Sequence, residues 1–296
     1  MTSGSTGILH GYTAKFPINP KRKVPAMEWT AERKRGAGLI ADTVRDRWAH
    51  AVLLTLAAAP QRPGSLFDTF QRHDPVNAAL FGPHAMYREH ISRILSDLTR
   101  AGLSDRGDGH VYRLTELAAG MLASLGATAE YSAAHFEFLV RGCRTIGRLD
   151  TDAPMPAETD DGPEARTARL GRRAQVALFG ILLEPAWSMQ VLTELADGPL
   201  RAAELLTRIN AVVEANRDVA GPASLSRGAL YRRIEGMRGT GLVACAGSGG
   251  TGFGLTGFSV GLLESMGPIA AFGIARDAGL ADAARVRRGD GVRSTS

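Results

Sequence analysis

The apolar positions of this chain fall mostly on helical spacing. Leu205, Leu206, Ile209, Val212 and Val213 stand at i, i+1, i+4, i+7 and i+8, the stripe of an amphipathic helix. Leu225, Leu230, Ile234 and Met237 mark another, and Met86, Ile91, Leu95 and Leu98 mark a third of the same build. Both of these end at a Gly-Leu pair, Gly241-Leu242 and Gly102-Leu103, the usual glycine stop followed by a buried residue. Further helices are predicted around 31–46 and 166–183, and one carrying Trp48, Leu53 and Leu56 stops near Pro60. The period then changes. LSDRGDGHVYRLT alternates around Val111 and Arg113, which predicts a hairpin with Gly107-Asp108-Gly109 at its tip. LVACAGSGGTGFGLT predicts the same hairpin with a glycine-loaded tip. Helices follow both, with Leu117, Met121, Leu122 and Leu125 in one and Phe258, Leu262, Leu263 and Met266 in the other. Residues 127–148 predict one more helix, with Tyr131, Phe136, Leu139 and Val140 available for packing.

The elements occur twice. A shift of 139 residues carries Trp48 onto Trp187, Leu53 onto Leu192, Arg62 onto Arg201, Leu66 onto Leu205, Arg88 onto Arg227 and Arg93 onto Arg232. Past the hairpin tip the shift is 141, carrying Leu114-Thr115 onto Leu255-Thr256 and Gly120 onto Gly261. Helix, helix, helix, hairpin, helix is the winged-helix order. The expected fold is therefore mainly α with small β-hairpin wings (α+β): two tandem winged-helix domains forming an intramolecular pseudo-dimer. The expected boundaries are a basic flexible tail at 1–26, domain one at 27–126 and a connecting helix at 127–148. An acidic linker at 149–165, domain two at 166–275 and a flexible C-terminal tail at 276–296 complete the chain.

Composition adjusts this picture in three places. With 44% apolar and 22% charged residues over 296 positions, the chain is globular. Its apolar runs are too short to cross a bilayer and its start lacks a signal pattern, so a soluble cytoplasmic protein is expected. The net charge of +5 permits a polyanionic partner without requiring one. Seven basic residues against Glu28 and Glu32 occupy 1–35, including Lys21-Arg22-Lys23 and Arg33-Lys34-Arg35. These either reach an adjacent minor groove or remain solvated. Residues 149–165 hold six acids, three prolines and no Lys or Arg, the composition of a linker.

The second copy resembles the HxlR group of bacterial winged-helix regulators, related to MarR and PadR proteins. Trp187, Gly198-Pro199-Leu200-Arg201, Glu204-Leu205, Leu225-Ser226, Leu230, Ile234, Met237, Gly241-Leu242 and Leu255-Thr256 carry the resemblance. The first copy keeps Trp48, Arg62, Leu66, Ile91, Leu95, Leu98, Gly102-Leu103 and Leu114-Thr115. The resemblance implies double-stranded DNA as partner, transcription regulation as function, and an effector molecule between the copies, near Trp48, Trp187 and Phe179.

A recognition helix buries one face and presents polar groups on the other. In copy one this places Glu89, Ser92, Arg93 and Arg100 outward, with Arg88 on the flank and Tyr87 beside it as a further candidate contact. In copy two Gly228, Tyr231, Arg232 and Gly239 are the matching outward positions, with Arg227 on the flank and Ser224 and Ser226 near the start. Arginine grips guanine O6/N7 or neutralises phosphate, and Ser and Tyr bond phosphate oxygens. Arginine is also an ordinary exposed helix residue that covers apolar surface. The shared arginines are read as positioning the helices, and the differing neighbours as biasing sequence. The first wing offers Arg106, His110 and Arg113, opposed by Asp105 and Asp108; the second has no charge at its tip.

Other signals carry less. Gly247 to Gly252 matches G-x-G-x-x-G but sits in a predicted hairpin, not between a strand and a helix. His84 and His90 flank the DNA-facing turn as solvent or phosphate contacts. Two cysteines, Cys143 and Cys245, read as structural thiols, and no catalytic or metal constellation is evident. No cofactor or enzymatic activity is expected. The leading reading is a sequence-specific transcription regulator; the rival is a winged-helix module that binds another protein.

Overall fold

The computed structural model describes residues 28–44, 46–71, 87–147, 173–183, 187–216, 224–246 and 252–287. The expected tail at 1–26, the linker at 149–165, His84, Met86 and the glycine-rich tip at 247–251 lie outside the described residues. The first half runs α1 (Ala31–Val44), α2 (Arg47–Ala58), α3 (Pro63–Gln71), α4 (Arg88–Arg100), β1 (Ser104–Arg106) and β2 (Tyr112–Leu114). It ends with α5 (Glu116–Ser124), α6 (Gly126–Ala134) and α7 (Phe136–Thr145). The second half runs α8 (173–182), α9 (Ser188–Glu194), β3 (Leu200–Arg201), α10 (Ala202–Ala215) and α11 (Arg227–Gly239). β4 (Val243–Ala246), β5 (Gly252–Leu255), α12 (Gly257–Ser265), α13 (Gly267–Ala275) and α14 (Asp277–Arg287) follow. The chain is mainly helical with two small antiparallel sheets.

The repeat shows in the backbone at the long helix and hairpin of each half. α4 and α11 begin and end at positions 139 apart. Ser104 pairs Leu114 and Val243 pairs Leu255; Arg106 pairs Tyr112 and Cys245 pairs Phe253. β3 adds a third strand by pairing Leu200 with Phe253, and Gln61 bridges Tyr112 at the same place in the first half. The local causes also recur. Gly102 and Gly241 take φ of 68° and 78°, which lets Leu103 N–H reach Leu98 O and Leu242 N–H reach Met237 O. Thr115 and Thr256 each cap the next helix, accepting from Ala118 N–H and Ser259 N–H. The same hydroxyls donate to Gly102 O and Gly241 O, tying each hairpin to the end of the preceding helix.

The halves differ around the Trp pair. Asp46 caps α2 through Trp48 and Ala49 N–H, so Trp48 lies inside a regular helix. Trp187 instead stands before α9 at φ 78°, after an α8 whose last residues, Leu178–Leu182, are π-helical.

One continuous apolar cluster spans both halves, from Trp29 to Ala284. The halves meet through pairs that the 141-residue shift exchanges. The α5 glycine, Gly120, lies against Phe272 of α13, and its counterpart Gly261 lies against Tyr131 of α6; a Cβ at either would fall 2.6 Å from the ring or its hydroxyl. The Tyr131 hydroxyl donates to Phe258 O at 2.9 Å, and burial with Glu264 nearby pushes it up to about 12. Phe138 of α7 stacks on Phe258 of α12 at 4.1 Å, while Leu117 of α5 meets Gly279 of α14. α14 packs on α4, and Gly142 of α7 abuts Thr240 at the end of α11. Each half thus braces the other's α4 or α11.

Three expectations are corrected. The segment 127–148 is not one helix: α6 and α7 break at His135, whose φ of −117° and ψ of 25° leave the helical region. Within the expected flexible tail from 276, residues 277–287 instead form α14, which buries Leu280, Ala281, Ala283 and Ala284. The Arg33-Lys34-Arg35 run is in α1 and internally bonded. Lys34 Nζ reaches Glu194 Oε1 at 2.9 Å; Arg35 holds Asp277 at 2.6 Å and Asn216 at 2.8 Å; Arg33 donates to Glu28 O. No single helix among the described residues is long and apolar enough to cross a membrane.

The contact of α1 with α13 is backbone on backbone. A Cβ at Gly273 would fall 2.3 Å from Gly36 O, and one at Gly36 would fall 2.8 Å from Ala270 O. Gly273→Ala is therefore expected to destabilise by about 1–3 kcal/mol in urea unfolding. Gly38→Ala, with nothing within 4 Å of its Cβ, is the control. It should stabilise by about 0.5–1 kcal/mol through helix propensity. Equal effects at the two positions would contradict the close crossing.

Candidate nucleic-acid interface

α4 turns Ile91, Ile94, Leu95 and Leu98 inward, and leaves Arg88, Glu89, Ser92 and Arg93 exposed. α11 turns Leu230, Ile234 and Met237 inward, and leaves Arg227, Gly228, Tyr231 and Arg232 exposed. The four arginines therefore occupy matching outward positions. Among the described residues no carboxylate pairs with any of them, whereas Arg100 and Arg238 at the far ends are taken by Asp97 and Glu235, both at 2.7 Å. Aromatic rings order two of them. The Arg88 guanidinium lies 5.0 Å from the Phe67 ring centre, and that of Arg227 lies 5.7 Å from the Tyr231 ring centre. Tyr87, immediately before α4, is 65% exposed, so its ring is not held in the core.

The other expected residues divide. Ser92 and Ser224 are exposed. The Ser226 hydroxyl oxygen accepts from Ala229 N–H at 3.2 Å, so it fixes the start of α11. On the first wing Arg106 Nη2 meets the His110 ring, and Gly109 and His110 take left-handed backbone at φ 64° and 59°. Arg113 is exposed but sits opposite Asp105 in the strand register, which offsets its charge. The second wing pairs Ala244 with Gly254 at that position and has no charge there. His90 is half-buried with its ring 6.4 Å from Trp48. Burial and Arg93 hold its pKa below the usual value, against a smaller upward pull from Asp46. It serves the packing behind α4 rather than the outer face.

Two further exposed arginines were not among the expected site residues. Arg62 and Arg201 are exposed at the bridge or strand joining the wing, and Arg62 Nη2 comes within 3.4 Å of where a Cβ of Gly109 would stand. Their identity in both copies was the available signal.

No family model, curated protein or solved structure matches the chain.

Two of the aromatic residues expected near an effector have ring partners of their own. Trp48 packs edge-on against Phe70, and buried Phe179 packs edge-on against His50. A small open cleft lies between the halves, lined by Lys34, Arg35, Leu39 and Asp42 of α1 and by Met189 and Glu194 of α9. The G-x-G-x-x-G match ends in β5, a strand antiparallel to β4, so it has no βαβ setting. Among the described residues no group of three His, Cys, Asp or Glu side chains is placed to hold a metal ion.

Cys143 is buried, which pushes its thiol up to about 12, whereas Cys245 is exposed on β4. One thiol per native chain is expected to react rapidly with a disulfide reagent at pH 8, the second only on unfolding. Rapid reaction of both would contradict the buried position of Cys143.

Proposed function

We propose that this chain is a sequence-specific regulator of transcription that acts on double-stranded DNA in the cytoplasm and has no catalytic activity of its own. It is built as two tandem winged helices paired within one chain as a pseudo-dimer, on the pattern of the HxlR-type regulators it resembles. α4 and α11 would enter adjacent major grooves about 34 Å apart. The observation that carries this reading is the repeat of Arg88 and Arg93 as Arg227 and Arg232, outward on two helices of identical length and without carboxylate partners among the described residues. A core needs none of these four charges, and a phosphate backbone would be neutralised by them. The mutual bracing of α4 by α14 and of α11 by α7 supports a fixed spacing between the two helices. On this reading Tyr87, Arg62, Arg201 and the first wing would contact flanking phosphates. The effector of such a regulator is assigned to the cleft between α1 and α9.

The rival reading, a docking module for another regulator or a component of the transcription machinery, draws on Glu89 and the uncharged second wing. A titration of a random duplex across a salt series separates the two. DNA binding predicts affinity falling with a log–log slope of about −4 or steeper, from four or more phosphate contacts. Absence of salt-dependent duplex binding favours the docking module.

A further inference from the structure

The two copies share scaffold and arginines, so what separates them is confined to a few outward positions. Glu89 in α4 stands where Gly228 stands in α11, and Ser92 stands where Tyr231 stands. Glu89 is exposed in the first turn of α4 and has no ion pair among the described residues, although Arg93 lies one turn away. A carboxylate on a DNA-facing surface is repelled by phosphate. It is tolerated where it accepts a hydrogen bond from a base amino group, and in the major groove the cytosine N4 amino group is its usual partner. Gly228 offers no side chain at the equivalent place. The space there is open, because a Cβ would have only Arg232 Nη1 at 3.7 Å.

Resting on the DNA-binding reading above, we infer that Glu89 is a specificity-determining residue. It reads a cytosine in the half-site under α4, and its absence at Gly228 gives the protein a fixed polarity on an asymmetric site. The first half-site carries a required cytosine; the second is read without one at that position and is held by Arg227, Arg232 and the ring of Tyr231.

The test is selection of duplexes from a random pool by the full chain and by three variants, with affinities for the recovered sites. The wild type should recover two unequal half-sites, one with a cytosine preference of about 5- to 100-fold. Glu89→Ala should lose that preference while still binding DNA. Glu89→Gln should shift it toward adenine, whose N6 and N7 suit an amide. Gly228→Glu should create a cytosine preference at the matching position of the other half-site, making the motif more nearly palindromic. A purely structural role for Glu89 at the helix start would leave base preference unmoved in all three variants and overturns the inference. If the wild type enriches a motif that these variants do not alter, this inference fails alone. If the wild type enriches nothing, the DNA-binding reading fails with it.

Discussion

Replacing Arg88, Arg93, Arg227 and Arg232 together by alanine should lower affinity for the preferred duplex by at least about 10³-fold, because each arginine contact to base or phosphate is worth on the order of 1–3 kcal/mol. The slope of log affinity against log salt should flatten by between three and four units, the share of four phosphate contacts. Folding should hardly change. The side chains lie outside the core, and only the exposed ring contacts of Arg88 and Arg227 are lost, at about 0.5–1 kcal/mol each. Unchanged helical circular dichroism and a small shift in urea midpoint would show this. Intact duplex binding by the quadruple variant would remove α4 and α11 from the interface.

Lys34→Met should be strongly destabilising. The Lys34 and Glu194 side chains are only 11% and 4% exposed, and their 2.9 Å pair joins α1 of one half to α9 of the other. Removing the cation leaves a buried carboxylate; the other acid that Lys34 meets, Asp197, also has Arg208 at 3.8 Å. Breaking a buried pair of this kind costs about 3–5 kcal/mol. Replacing both residues by methionine removes the stranded charge as well, and should recover most of that loss. Urea unfolding of the two variants checks both statements. A loss below about 1 kcal/mol for Lys34→Met would mean that the pair is solvated and the junction between the halves is looser than described.

Much of the scaffold was legible because its causes are local. The Gly-Leu stops and the two hairpin segments each act within a few residues, and each occurs twice in register. The outward arginines were legible for the same reason: the buried stripe of α4 fixes its opposite face. What was not legible depends on contacts distant in sequence. Lys34 and Arg35 look like a solvated basic run until Glu194, Asp277 and Asn216, more than 150 residues away, are brought beside them. α14 was missed because Asp277–Arg287 is built mostly of small and charged residues, and its apolar face, Leu280, Ala281, Ala283 and Ala284, gains meaning only against α1 and α4. The break at His135 likewise has no glycine or proline to announce it. Arg62 and Arg201 were visible as a repeated pair, but their place beside the wing comes from the bridge of Gln61 to Tyr112 and the strand of Leu200 against Phe253.

The most direct measurement is selection of binding sites from sheared genomic DNA of the source organism, followed by affinity for the best site and for its scramble across a salt series. The account predicts an enriched motif of two half-sites about 10 bp apart. It also predicts a preference over scrambled DNA of about 10³-fold or more, with binding that weakens steeply in salt. Failure to enrich any motif, with only weak and equal binding to both duplexes, would contradict it.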